Sequence, residues 1–240
     1  MNPKPMLNGG CGRIVMPRTK PPHHVLVDDA VYEPDVVWHN VDKFPGDGVD
    51  ECLDLFTYPW PWEDNRFKGA LFSHVIEHIP HEIRQSKTAL DRSHLHIDTD
   101  SPPHWFEPQT PTRWKEIEQL GDGFYAFFSE LWRVCEPGAV AHILCPFAWS
   151  LGAMMDPTHT RYIVPSTFSY LSPDPGAPFE KDYGSHWRIM EEPRPMYHSD
   201  FNGAINMGNM SLINHAFEHQ INVVSEFYIK LEAVKDGSHD

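Results

Sequence analysis

The sequence predicts an α/β fold: a mostly parallel sheet with helices on both faces, an antiparallel last strand and one inserted segment. Three observations carry this. Leu7-Asn8-Gly9-Gly10-Cys11-Gly12 reads as a buried strand running into a glycine turn, and Val36-Val37-Trp38-His39-Asn40-Val41 reads as a second strand ending at Asp42. Gly69-Ala70-Leu71-Phe72 opens a fourth strand that is apolar on both faces, as a central parallel strand should be. Phe124 to Val134 is apolar at helical spacing and leads through Glu136-Pro137-Gly138 into strand-like Ala139 to Pro146. That succession is the order of a Rossmann-like sheet.

The remaining elements follow in chain order. Residues 13–24 are polar and proline-rich and read as a loop. Glu51-Cys52-Leu53 is a short third strand that stops at Asp54-Leu55. Tyr58-Pro59-Trp60-Pro61-Trp62 cannot be helix interior, because proline removes a donor and clashes with the preceding turn; Trp60 and Trp62 are expected to seal the sheet edge. Residues 84–120 break the pattern with Pro102-Pro103, Pro108 and Pro111, and carry His94, His96, His104 and Trp105. They are expected to form an insertion, working as a lid over an acceptor pocket. Residues 150–200 read as loop, 208–220 as a helix and 223–234 as a last strand on an antiparallel edge. The whole chain reads as one domain.

Composition narrows the class. At 240 residues and 40% apolar content the chain can bury one sizeable α/β core. It carries 34 acidic against 19 basic side chains, a formal charge of −15 that disfavours a phosphate backbone as partner. Four cysteines lie scattered without paired spacing, which suits a reduced, cytoplasmic protein. No apolar run approaches the roughly eighteen residues of a membrane span.

These pieces together resemble the class I methyltransferases that use S-adenosylmethionine, and more narrowly the methyltransferase type 11 group. The resemblance rests on Leu7 to Gly12, Asn40-Val41-Asp42, Gly48-Val49-Asp50 with Asp54-Leu55, and Ser73-His74-Val75-Ile76-Glu77-His78-Ile79. It continues in Glu130 to Gly138 and in Asp156-Pro157-Thr158-His159-Thr160-Arg161, and it leaves the insertion unmatched. Lys68 and Gly9 depart from the family pattern, which more often has Asp and a bulkier apolar residue there.

The resemblance implies S-adenosylmethionine as cofactor, with Asn8, Gly10 and Ser73 near its methionine portion and Cys11, Gly12 and His74 also about the cofactor. Bare backbone at Gly10 and Gly12 permits close approach. Asp42 can accept from both ribose hydroxyls; Asp54 can accept from the adenine amino group while the Leu55 amide donates to a ring nitrogen. Either acid could equally cap a turn. His159, Asp156, Arg161 and His78 follow strand ends that face the methyl group, with His159 the first acid–base candidate and Arg161 a clamp for an anionic substrate. Mutual hydrogen bonds that merely lock the loop explain Asp156, His159 and Arg161 equally well.

The acceptor is expected to be a small molecule, sugar-like or peptide-like. An accessory protein that kept the fold without catalysis is the competing class. His74-Val75-Ile76-Glu77-His78 also fits the His-x-x-Glu-His pattern of a metal-dependent hydrolase. Zinc there needs both histidines on one helix face, whereas His74 is expected at a strand end, so no metal is expected.

Overall fold

The computed structural model describes residues 4–12, 15–16, 27, 32, 35–86, 111–172 and 183–235. Its elements are β1 (Met6–Gly9), β2 (Trp38–Asp42), β3 (Glu51–Cys52), β4 (Thr57–Tyr58), β5 (Phe67–Ser73), β6 (Arg84–Gln85), α1 (Pro111–Glu118) and α2 (Gly123–Val134). Then come β7 (Cys135–Pro146), α3 (Leu151–Met155), β8 (Trp187–Ile189), β9 (Arg194–Tyr197), α4 (Asn202–Asn206), α5 (Met210–His219) and β10 (Val224–Ala233).

The main sheet runs β3-β2-β1-β5-β7-β10-β8, with β9 also paired to β10. Every pair from β3 to β7 is parallel, and β10 is antiparallel to β7, β8 and β9. This is the mostly parallel α/β sheet expected. The order turns at β1, where the chain crosses first to β2 and later to β5. Such a switch point opens a crevice beyond the carboxyl ends of the strands.

Strand periodicity explains why both faces are apolar. Leu7, Ala70, Phe72, Ile143, Phe227 and Ile229 point to one face and join the large cluster containing Phe127, Phe128 and Leu131 of α2. Their neighbours Met6, Leu71, Leu144 and Tyr228 point to the other and meet Met16, Val27 and Trp38. Trp60 and Trp62 are wholly buried in the large cluster, edge-on to each other and to Phe127 and Phe67 respectively. They fill the core.

Four details differ from expectation. β10 is antiparallel but lies inside the sheet, because β8 and β9 add pairs on its outer side. Residues 150–200 are not all loop: they hold α3, a 3₁₀ turn at Pro165–Leu171, β8 and β9. Short, mixed segments of this kind have too little periodicity to read from sequence. β7 starts directly at Cys135, which is already extended, so Pro137 and Gly138 form an irregularity inside the strand. β4 and β6 make a small second sheet that no alternation announced. Of the expected insertion, residues 84–86 and 111–120 are described; the lid, with His94, His96, His104 and Trp105, lies outside the described residues.

A buried ion pair ties α2 to the tryptophan segment. Glu130 is fully buried, and its Oε1 accepts from Arg133 Nε at 2.9 Å and Arg113 Nε at 2.8 Å. Its Oε2 accepts from the Trp60 amide at 2.7 Å and from Arg133 Nη2 at 2.9 Å. Burial pushes the Glu130 carboxyl pKa up, but Arg133 and Arg113 outweigh it and hold the group below its ordinary 4.5. Glu130→Gln removes the buried counter-charge shared by Arg133 and Arg113, leaving Arg133 only the exposed Asp64, and is expected to lower unfolding free energy by about 3 kcal/mol in urea titrations at pH 7. A depressed folded pKa contributes stability above the unfolded value that fades as pH falls through the folded one. The gap between wild type and Glu130→Gln should therefore narrow steadily below pH 4.5.

Candidate functional site

The chain leaves β1 through backbone that only glycine adopts cheaply. Gly10 has φ +63° and Gly12 φ +51°, both left-handed. A Cβ on Gly10 would stand 2.7 Å from Val75 Cγ2. Gly9 has a different reason to be bare: a Cβ there would meet the Phe72 ring at 2.2 Å. The turn is fastened to β2 from its far side, where Gly12 N donates to Asp42 Oδ2 at 2.8 Å and Cys11 N to the Val41 carbonyl at 3.0 Å. Asp42 Oδ1 accepts from Phe44 N at 2.9 Å. Each carboxylate oxygen keeps a further acceptor site.

Beyond this turn lies a cavity of about 430 Å³, within the range of small-molecule sites. Of the residues anticipated from sequence, Gly10, Asp42, Asp54, Leu55, His74 and His78 line it together. Asp54 Oδ1 accepts from Phe56 N at 3.0 Å, closing a tight turn that holds the wall. The Leu55 carbonyl accepts from Trp60 Nε1 at 3.1 Å, while its N–H has no acceptor among the described residues. Lys43, Phe56, Val75, Arg84, Thr158 and Thr160 also line the cavity and were not anticipated. Lys43 adjoins Asp42, while Val75, Thr158 and Thr160 lie inside segments that carry the resemblance. Arg84 opens the 84–120 segment expected to act as a lid.

The other anticipated residues stand outside that lining. Asn8 is buried, donating to Asn40 Oδ1 at 2.9 Å; Asn40 in turn holds Met16 and Asp50. It clamps β1 to β2 behind the turn. Cys11 is buried and Gly12 exposed in the turn itself, and Ser73 closes β5 opposite Leu144. All four cysteines are free.

The end of β5 brings three titratable side chains together. His74 takes a left-handed backbone, φ +57°, costing about 1 kcal/mol for a non-glycine residue, and turns the chain into a 3₁₀ turn at Ile76–His78. His74 and His78 therefore do not share a helix face. Glu77 is buried at 2% exposure, and neither of its carboxylate oxygens has a hydrogen bond among the described residues. His74 Nδ1 approaches Glu77 Oε1 at 3.5 Å, and its Nε2 approaches Glu226 Oε1 at 3.6 Å. Burial disfavours the His74 cation, yet the Glu77 contact and the Glu226 and Glu77 charges leave its pKa above the ordinary value.

The 156–161 loop docks onto this turn. Glu77 O accepts from Thr160 N at 2.9 Å and Arg161 N at 3.1 Å. Arg161 is committed inside the protein: Nε donates to Ile79 O, and Nη2 to Pro80 O and to Asp122 at 2.7 Å. It locks the loop. Asp156 is exposed and accepts from the Thr158 hydroxyl and amide, which hold its pKa below the ordinary value. His159 is nearly buried, its Nδ1 is 3.0 Å from the Ala153 carbonyl, and its ring packs on His78 at 4.7 Å. One ligand atom from each of Glu77, His78 and His159 lies within 4.8 Å of the others. Sequence reading weighed His74 with His78; the fold instead joins His78 to His159.

No family model matches the chain, and no curated protein matches it. Solved structures with a similar chain path include a SAM dependent methyltransferase from Archaeoglobus fulgidus, at 15% identity and TM-score 0.48, covering 96% of this chain and 86% of that one. Another is described as the conversion of a disulfide bond into a thioacetal group during echinomycin biosynthesis, at 15% identity, TM-score 0.42 and coverage of 97% and 76%. The [4+2]-cyclase SpnF follows at 11% identity, TM-score 0.39 and coverage of 95% and 74%.

The two left-handed glycines separate by what surrounds them. Gly12→Ala meets no atom within 4 Å and should cost only the backbone penalty, about 1–2 kcal/mol. Gly10→Ala must also displace Val75 from the cavity wall, so thermal denaturation should show a distinctly larger fall in Tm.

Proposed function

We propose that this chain is an S-adenosylmethionine-dependent methyltransferase acting on a small-molecule, sugar-like or peptide-like acceptor. One observation carries the reading: a nucleoside-sized cavity at the switch point of the sheet, where bare backbone at Gly10 adjoins the carboxylates of Asp42 and Asp54. The groups present fit the cofactor. Asp42 keeps acceptor capacity on both oxygens for a pair of adjacent hydroxyls, and the Leu55 N–H, without an acceptor among the described residues, offers with Asp54 a donor–acceptor pair to an adenine edge. Bound there, the cofactor supplies an electrophilic methyl group on a cationic sulfur.

The chain's own task is then alignment, since positioning supplies most of the acceleration of an in-line displacement. The cavity carries the carboxylates of Asp42 and Asp54 together with the cations of Lys43 and Arg84, so it offers partners to both ends of a zwitterionic ligand. A second cavity of about 530 Å³, lined by Phe124, Tyr125, Tyr162 and Tyr170, shares Thr160 with the first. That aromatic space is our candidate acceptor pocket, and it favours an enzyme over a non-catalytic relative. The charge of −15 favours an acceptor other than nucleic acid. No helix among the described residues is long and apolar enough to cross a membrane.

Calorimetric titration with S-adenosylhomocysteine should give one site, and Asp42→Ala should weaken it at least tenfold, about 1.4 kcal/mol. Absence of heat with the intact chain would sink the reading. A gain of one methyl mass on candidate acceptors, seen by mass spectrometry, separates catalysis from binding alone.

A further inference from the structure

We propose that Glu77, His78 and His159 form a binding site for a divalent transition-metal ion, with zinc the best match. The first argument is the tautomers. The Ala153 carbonyl can only accept, so His159 Nδ1 bears the proton and Nε2 presents a lone pair. Thr158 Oγ1 donates its proton to Asp156 Oδ1 at 2.6 Å, and therefore accepts from His78 Nδ1 at 3.1 Å. The Thr158 carbonyl, 3.2 Å from the same nitrogen, demands the same tautomer. Both imidazoles are thus oriented through Nδ1–H by protein oxygens, the arrangement that steadies metal-bound histidine.

The second argument is the orphaned charge. Glu77 Oε1 and Oε2 and Glu226 Oε2 are buried without a hydrogen bond among the described residues. The nearest basic side chain among the described residues is His74, shared between Glu77 and Glu226 at 3.5 and 3.6 Å. One ring shared between two carboxylates leaves Glu77 Oε2 and Glu226 Oε2 with no partner among the described residues, and a buried unpaired carboxylate is strongly unfavourable. His159 Nε2 stands 3.9 Å from Glu77 Oε1 and 3.8 Å from Asp156 Oδ2, bonded to neither. The gap between these atoms is one a cation would fill.

Geometry and chemistry select the ion. Bonds of about 2.1 Å place tetrahedral ligands about 3.4 Å apart. The three ligand atoms, now within 4.8 Å of one another, need to draw together by up to about 1.4 Å. His78, partly exposed on the cavity wall, is the least enclosed of the three. Two imidazoles and one carboxylate suit zinc and its late first-row neighbours better than magnesium or calcium. Because His78 lines the cavity, the remaining coordination position opens toward it, as in sites that bind a further ligand.

The test is titration of chelator-treated full-length protein with zinc chloride, beside His159→Ala, His78→Ala, Glu77→Gln and His219→Ala. His219→Ala breaks the exposed His215–His219 pair, whose rings lie 4.4 Å apart and offer zinc a surface alternative. One equivalent should bind to wild type and His219→Ala with a rise in Tm. Affinity should fall about 100-fold or more in His159→Ala and His78→Ala and less in Glu77→Gln. Circular dichroism reports whether each variant folds; if His159→Ala does not, the more exposed His78 position decides. Wild-type zinc affinity in a folded His78→Ala, loss of the site only in His219→Ala, or no binding at all would overturn the proposal. S-adenosylhomocysteine titrated into the same samples keeps the two readings apart: nucleoside heat without zinc binding defeats only the metal site, and the converse defeats only the cofactor site.

Discussion

The Glu130–Arg133 ion pair within α2 is the constraint from which the shape of the cavity follows. Arg133 donates to Glu130, to the Trp60 and Trp62 carbonyls and to Asp64, so one guanidinium meets four residues. Glu130 returns the grip through the Trp60 amide. Trp60 passes it on, because its indole N–H holds the Leu55 carbonyl in the cavity wall. A proline-interrupted segment has no ladder of its own to fix it. Here buried charge-assisted hydrogen bonds do that work, and they are strong because water is excluded from them.

A second linkage joins the two loops that carry the histidines. Glu77 contributes its backbone carbonyl to Thr160 and Arg161, while Arg161 closes the loop on Ile79, Pro80 and Asp122. The guanidinium is thereby removed from substrate chemistry and given to positioning. With Arg161 holding the loop, His159 sits against His78, and the Glu77 side chain is enclosed where water cannot solvate it. Backbone order on one side of the turn coincides with unsatisfied charge on the other. That imbalance is what makes this cluster chemically interesting.

On the opposite wall the logic is simpler. Asp42 reaches back to the Gly12 amide and forward to Phe44, so a single side chain fixes the glycine turn and the exit of β2. Behind it, Asn8 and Asn40 satisfy one another and the Met16 backbone in the core. A buried polar network of this kind is tolerated because its amide groups have partners. It holds β1 and β2 in register, which in turn fixes where Gly10 faces the cavity.

Much of this was legible in the sequence alone. Strand alternation, the helical spacing of Phe124 to Val134 and the glycine turn arise from backbone sterics and solvent partition over a few residues, so they are written locally. Gly10, Asp42, Asp54 and Leu55 fall on one cavity because strand ends in a parallel sheet share an edge. Other features belong to the tertiary structure alone: the interior place of β10, the burial of Asn8 against Asn40, the capture of Arg161, and the meeting of His78 with His159. Each joins groups far apart along the chain, and the distance between such groups is set by sheet register and loop docking. No local pattern encodes that distance, so only the folded chain could decide it.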